Sequence, residues 1–174
     1  MKQLKDISVL TTTALLIAIA TVLGFLKIPV NQLIELRFAY LPIAASGMLF
    51  GPAIGGIVGM LADILGYLVR PTGPFFPGFT ISTAVSGIIF GAFFYKKKLT
   101  VPRVILANLV ETVVVSLILN TINLMILYGN PFWAVLSAKL LKNAVMFPIN
   151  TVLLLLVLRA LDRLPLPAVQ DHRP

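Results

Sequence analysis

The sequence predicts an all-α membrane protein, a bundle of six transmembrane helices. Of its 174 residues, 59% are hydrophobic and only 11% are charged, and the mean hydropathy is +1.00. Soluble domains carry about 25% charged residues, so this chain has too few charges to solvate a surface. About 20 apolar residues cross the hydrocarbon core, and the length accommodates roughly six such spans with short loops. We therefore expect one six-helix domain over residues 1–174.

The first predicted helix covers residues 8–26 and follows Lys2 and Lys5. Basic residues before an apolar run are also typical of a secretory signal peptide, whose apolar region has about 7–15 residues. The run here is longer, and further apolar runs follow it. This pattern favours a first helix that stays in the membrane.

The second and third predicted helices cover residues 38–50 and 52–69, on either side of the Gly51-Pro52 pair. Proline has no amide hydrogen and suits the first turn of a helix, so the third helix should begin at Pro52. One kinked span with a re-entrant piece is the alternative, and the sequence leaves both open.

A stiff, extended loop is predicted next, because prolines recur at every third position at Pro71, Pro74 and Pro77. The fourth helix should then cover residues 79–95. A fifth over residues 102–127 and a sixth over 138–161 complete the bundle.

The basic residues predict the orientation, because cytoplasmic loops collect Lys and Arg. Six spans place both termini on one side, where we expect nine basic residues: Lys2, Lys5, Lys96, Lys97, Lys98, Arg103, Arg159, Arg163 and Arg173. The other side would hold five: Lys27, Arg37, Arg70, Lys139 and Lys142. Both termini should therefore be cytoplasmic. The five outer cations fit either lipid phosphates or an anionic substrate.

A stripe of polar and aromatic residues follows one face of the sixth helix, at Lys139, Asn143, Phe147 and Asn150. Amides hydrogen-bond mixed donor and acceptor edges, and an aromatic ring stacks on a flat heterocycle. We interpret the stripe as a ligand-binding wall, although hydrogen bonding between helices is an alternative. Two acidic residues, Asp63 and Glu111, lie deeper. Each could hydrogen-bond a ligand amine or pair structurally within the bundle, and we expect Asp63 to be the nearer to a ligand.

Several classes of function require residues or motifs that this chain lacks. The chain has no Cys and a single His, in the polar tail, so we expect no metal site and no cofactor. It has no G-x-x-x-x-G-K-[ST] motif for ATP, and its serines have no His to activate them. The net charge of +8 fits a membrane protein without nucleic acid as a partner. A binding subunit energised by other proteins is therefore favoured over an enzyme.

Four segments carry a resemblance to a known family: residues 37–44 (RFAYLPIA), 47–52 (GMLFGP), 59–66 (GMLADILG) and 71–80 (PTGPFFPGFT). They resemble the substrate-binding S components of energy-coupling factor (ECF) transporters, most closely the folate-specific branch. The resemblance implies a six-helix protein of the bacterial plasma membrane that captures a vitamin at the outer face. Its partner would be a transmembrane coupling protein with two ATPase subunits, and Ala14 and Ala18 match the small-residue motif that faces this protein.

The expected folate site combines the resemblance with the stripe. Around the ring system we expect Phe79, Thr80, Asn120 and Asn143, and Asp63 is a further candidate for substrate binding. Near the two carboxylates we expect Arg37, Arg70 and Lys139, because cations hold carboxylates by charge-assisted hydrogen bonds. The alternatives are an S component for another vitamin, such as pantothenate or thiamine, and a stand-alone small-molecule porter.

Overall fold

The computed structural model describes residues 7–25, 27–31, 34–71, 74–129 and 131–163, with side chains left out for residues 27–37 and 134. The described part is mainly helical. Its six helices are α1 (Ile7–Phe25), α2 (Tyr40–Phe50), α3 (Pro52–Val69), α4 (Pro77–Phe94), α5 (Val101–Tyr128) and α6 (Phe132–Arg163).

Five of these helices are long and apolar enough to cross a membrane, all except α2. The α2 helix has 11 residues and so is about 16 Å long, against about 30 Å of hydrocarbon. Nine of its residues are buried, which places it inside the bundle. The prediction of a helical membrane protein is thus confirmed at this level, and a short β-hairpin is the departure from the all-α class among the described residues.

Proline and glycine mark several of the helix ends. Proline occupies the first turn of α3, α4 and α5, as its missing amide hydrogen favours. Gly51 separates α2 from α3 with a φ of +92°, a conformation that glycine adopts without strain. The α6 helix begins at Phe132, six residues before the predicted start, because the turn at Gly129 needs little chain.

A β-hairpin joins α1 to α2, between the first and second predicted helices. Its antiparallel strands are β1 (Lys27–Asn31) and β2 (Ile34–Arg37), and Lys27 pairs with Arg37. We call this side of the bundle the hairpin end. The ends of α1, α3 and α5 and the beginnings of α4 and α6 lie there by chain direction.

Glycine lets α3 and α4 approach each other at backbone distance. A Cβ atom added to Gly87 would overlap the carbonyl group of Gly55, and one added to Gly55 would overlap the carbonyl of Gly87. Small residues permit such close packing in membranes, where dispersion contacts replace the hydrophobic effect between helices. The pair α3–α4 therefore forms a rigid wall.

Two apolar clusters flank this wall. One joins α1, α2 and α3 around residues such as Leu16, Ile43 and Val58. The other joins α2, α4, α5 and α6, with Phe90 and Leu158 fully buried. Both clusters include α2, so the short helix connects the two parts of the core.

The α5 helix changes geometry in its middle, where Thr112–Leu119 is π-helical. The amide of Asn120 accordingly bonds to the carbonyl of Val115, five residues earlier. π-Helical segments are rare and are frequent at functional sites. On the facing helix, Pro148 interrupts the backbone hydrogen bonds of α6.

Candidate binding cavity

All six helices line a cavity of about 1120 Å³. Pockets for small molecules measure about 300–1,000 Å³, so this volume holds a large vitamin. Each helix contributes at least one polar or aromatic side chain: Thr21, Tyr40, Asp63, Phe79, Glu111 and Asn143 are examples in chain order.

The structure brings six of the eight predicted site residues to this cavity: Asp63, Arg70, Phe79, Asn120, Lys139 and Asn143. The other two differ. Thr80 is buried between α3 and α4 and is not a lining residue. Arg37 ends the hairpin, and its side chain lies outside the described residues.

Cations line the cavity at the hairpin end. Arg70 follows the last residue of α3, and Lys139 and Lys142 are the eighth and eleventh residues of α6. The Lys139 ammonium donates to the backbone carbonyl of Ser116 at 3.3 Å. This part of the site can hold carboxylates.

Ser116 is a lining residue that the sequence analysis missed. Its hydroxyl donates to Asn143 Oδ1 at 3.2 Å and accepts from Asn143 Nδ2 at 3.0 Å. Both its carbonyl and its hydroxyl thus meet α6 from the π-helical segment. The sequence signal was its position four residues before Asn120, which places both on the cavity face of α5.

Asp63 and Thr80 form a pair across α3 and α4. The Thr80 hydroxyl donates to Asp63 Oδ2 at 2.7 Å. The close approach of the two helices makes this contact possible. Thr80 therefore acts on the cavity through Asp63, which lines it.

A second carboxylate, Glu111, lines the cavity nearer the middle of the bundle. Ser86 on α4 donates to its Oε1 at 2.8 Å. Tyr40 at the start of α2 also lines the cavity, and its hydroxyl donates to the carbonyl of Asn150 at 3.2 Å. We call this region the cavity floor, defined by Tyr40, Ser86, Glu111 and Asn150.

Aromatic rings cover the α3–α4 side of the cavity near the hairpin end. Tyr67 and Phe75 are 5.1 Å apart between ring centroids, and Phe76 meets Phe79 edge to face at 6.0 Å. All four line the cavity. Phe79 is a predicted site residue, whereas Tyr67 is not, because it lies in an apolar helix without a distinguishing pattern.

The site therefore has an ordered polarity. Cations lie at the hairpin end, amides, aromatic rings and Asp63 follow, and Glu111 lies deeper. Among the described residues, no group of three or more His, Cys, Asp or Glu side chains could hold a metal ion. The arrangement suits an elongated ligand with acidic groups at one end and a flat, polar ring system.

Ala14 and Ala18, the predicted docking residues, lie elsewhere. Both are exposed on α1 and neither lines the cavity. They are four residues apart and so share one helix face. This face is available to a partner helix.

Comparisons with known proteins identify the family of this chain. A family model described as ECF transporter, substrate-specific component matches residues 8–158. The folate transporter FolT of Clostridium novyi (strain NT) is 41% identical over 162 residues, which are 92% of this chain and 94% of that protein.

Two solved structures also resemble this chain. A crystal structure of FolT bound with folic acid matches with a TM-score of 0.79 and 34% identity, over 86% of this chain and 91% of that one. The S component of a bacterial ECF transporter matches with a TM-score of 0.62 and 28% identity, over 90% and 98% of the two chains.

Proposed function

The chain belongs to the substrate-specific components of ECF transporters, and from this premise we propose that it binds folate for import. It is a transporter component and not an enzyme. Folate enters the cavity at the outer face of the bacterial plasma membrane. A transmembrane coupling protein with two ATPase subunits then drives its release into the cell.

The polarity of the cavity is the observation that carries this proposal. Folate has two carboxylates at one end and a flat pterin with alternating donors and acceptors at the other. Arg70 and Lys139 provide cations at the hairpin end, and Asn143 and Phe79 provide amide and aromatic surface beyond them. The relative with a bound ligand carries folic acid.

The proposed roles follow from this order. Arg37, Arg70 and Lys139 hold the carboxylates, and Phe79, Asn120 and Asn143 surround the rings. Thr80 contributes by orienting Asp63, to which its hydroxyl donates. Lys142 joins the cations, because it also lines the cavity.

Identification of the bound ligand tests the function directly. Protein purified from a folate-containing medium should carry a pterin that is detectable by absorbance and mass. In a competition assay, unlabelled folic acid should displace labelled folate, and pantothenate and thiamine should not. Displacement by either of these vitamins would assign the chain to another branch of the family.

Lys139→Ala tests the site. We expect folic acid to bind about tenfold to a hundredfold more weakly, because a hydrogen bond to a charged group contributes about 1.5–3 kcal/mol. Calorimetry in detergent measures the change. Lys98→Ala is the matched control, because Lys98 is exposed after α4, at the opposite end of the bundle. Equal affinities for Lys139→Ala and wild type would remove this residue from the site.

We also propose that the chain crosses the membrane six times with both termini in the cytoplasm. The nine-to-five split of basic residues supports this orientation. In this topology α2, although only 11 residues long, accounts for one of the six crossings. The hairpin that precedes α2 spans the rest of the membrane on its outer side.

Labelling of single cysteines tests the orientation, because the natural chain contains no Cys. Trp133 at the start of α6 is 77% exposed, and Lys98 beyond α4 is also exposed. A membrane-impermeant maleimide should label Trp133→Cys in intact cells and Lys98→Cys only after lysis. The reverse pattern would invert the proposed topology.

A further inference from the structure

The cavity floor contains a carboxylate with little internal hydrogen bonding. Within the described part of the chain, Ser86 is the one hydrogen-bond donor to Glu111, and it contacts only Oε1. A carboxylate offers about four acceptor positions. Inside a membrane protein such a group needs donors from a partner or a ligand.

The hydrogen-bond donors near Glu111 are bonded to other residues. The Tyr40 hydroxyl donates to Asn150, at both its carbonyl and its side-chain oxygen. The Asn108 amide donates to Thr151 Oγ1 at 2.8 Å and to the carbonyl of Phe147 at 3.3 Å. Glu111 therefore faces the cavity as an acceptor whose remaining positions are open to a ligand.

The position of Glu111 selects which part of a ligand it meets. Asn150, which belongs to the cavity floor, is eleven residues beyond Lys139 on α6, or about 16 Å along the helix at 1.5 Å per residue. These two residues lie on one face of α6, and both line the cavity. An acidic ligand end held by the cations thus leaves the opposite end of the ligand at the floor.

We infer that Glu111 is the specificity-determining residue for the far edge of the ligand ring, where it accepts hydrogen bonds from two adjacent N–H groups. The matching chemistry is a guanidine-like edge, an exocyclic amino group next to a ring N–H, as a pterin presents. The inference rests on the proposed folate function and adds the group that distinguishes pterins from rings without this donor pair.

Asp63 is the other lining carboxylate, and the structure distinguishes it from Glu111. Asp63 accepts the Thr80 hydroxyl at 2.7 Å and makes a further interaction within the chain. It also lies on α3, close to the aromatic rings of the hairpin end. We assign the donor edge of the ring to Glu111.

A cycle of two ligands and two proteins tests this assignment. The ligands are folic acid and 2-desamino-2-methylfolic acid, in which a methyl group replaces the amino donor. Wild type should prefer folic acid by about tenfold to a hundredfold, the range for a charge-assisted hydrogen bond. In Glu111→Gln the preference should fall to about twofold, because the amide presents a donor where the carboxylate presented an acceptor.

Two further variants separate contact from structural damage. Lys139→Ala should weaken both ligands and keep the wild-type preference, and Asp63→Asn should also keep it. A Glu111→Gln protein that retains the full preference would overturn the assignment, as would loss of the preference in Asp63→Asn alone. If wild type does not bind folic acid at all, the proposed function fails with it, and the wild-type titration shows this separately.

Discussion

Ala14→Trp should abolish folate uptake by the assembled transporter while leaving folate binding by the isolated protein unchanged. Ala14 and Ala18 form a small-residue face on α1, and both are exposed to the surroundings of the bundle. Helices approach closely in membranes where such residues meet a partner. An indole at Ala14 would hold the coupling protein away from α1.

Two measurements check this prediction. Uptake of labelled folate is followed in cells that contain the coupling protein and its ATPases, and binding is measured by calorimetry in detergent. Leu106→Trp is the control, because Leu106 is 50% exposed on α5 and does not line the cavity. This control should transport normally. Unchanged uptake by Ala14→Trp would remove α1 as the docking helix.

Gly87→Leu should prevent folding of the bundle. A single Cβ at this position already overlaps the carbonyl of Gly55, and backbone atoms cannot move aside as a flexible side chain can. Overpacking a core with added methylenes typically costs about 1–3 kcal/mol, and a backbone clash adds to this. We expect little monodisperse protein from Gly87→Leu, and from Gly87→Ala a melting temperature lowered by roughly 5–10 °C.

Gly66 provides the matched control for this prediction. It lies in α3, the helix against which Gly87 of α4 packs, but a Cβ added there meets no atom within 4 Å. Gly66→Ala should therefore keep the wild-type melting temperature or raise it, since alanine is the better helix former by about 1 kcal/mol. Size-exclusion profiles and thermal unfolding in detergent measure both variants. Equal stability of Gly87→Ala and Gly66→Ala would contradict the close packing of α3 on α4.

Some site residues give a local sequence signal and others do not. Asn143 and Lys139 were identified because they repeat along one face of α6, and helical periodicity reports a shared face from sequence alone. Glu111 was placed in the bundle by its charge, but its exposure to the cavity depends on where Ser86 and Tyr40 lie. The hydrogen bonds of these residues, from Ser86 to Glu111 and from Tyr40 to Asn150, join residues that are 25 or more positions apart. No local sequence pattern encodes such contacts.

Thr80 shows that a sequence motif can also name a residue that does not line the cavity. The motif that carries the family resemblance includes it and led to its prediction as a ligand residue. In the structure its hydroxyl is directed to Asp63, and its side chain is buried. A motif identifies a residue that matters to the site, whereas the helix packing decides whether that residue touches the cavity or supports one that does.

The sequence by itself determined that this is a membrane protein, that it is built of helices, and where most of the helices end. These follow from composition and from local backbone chemistry at glycine and proline, which act over a few residues. Only the tertiary structure decided the short buried α2, the hairpin, the π-helical segment and the cavity floor. Each of these depends on how distant segments fill space and satisfy one another's polar groups, and such contacts form only when all six helices pack together.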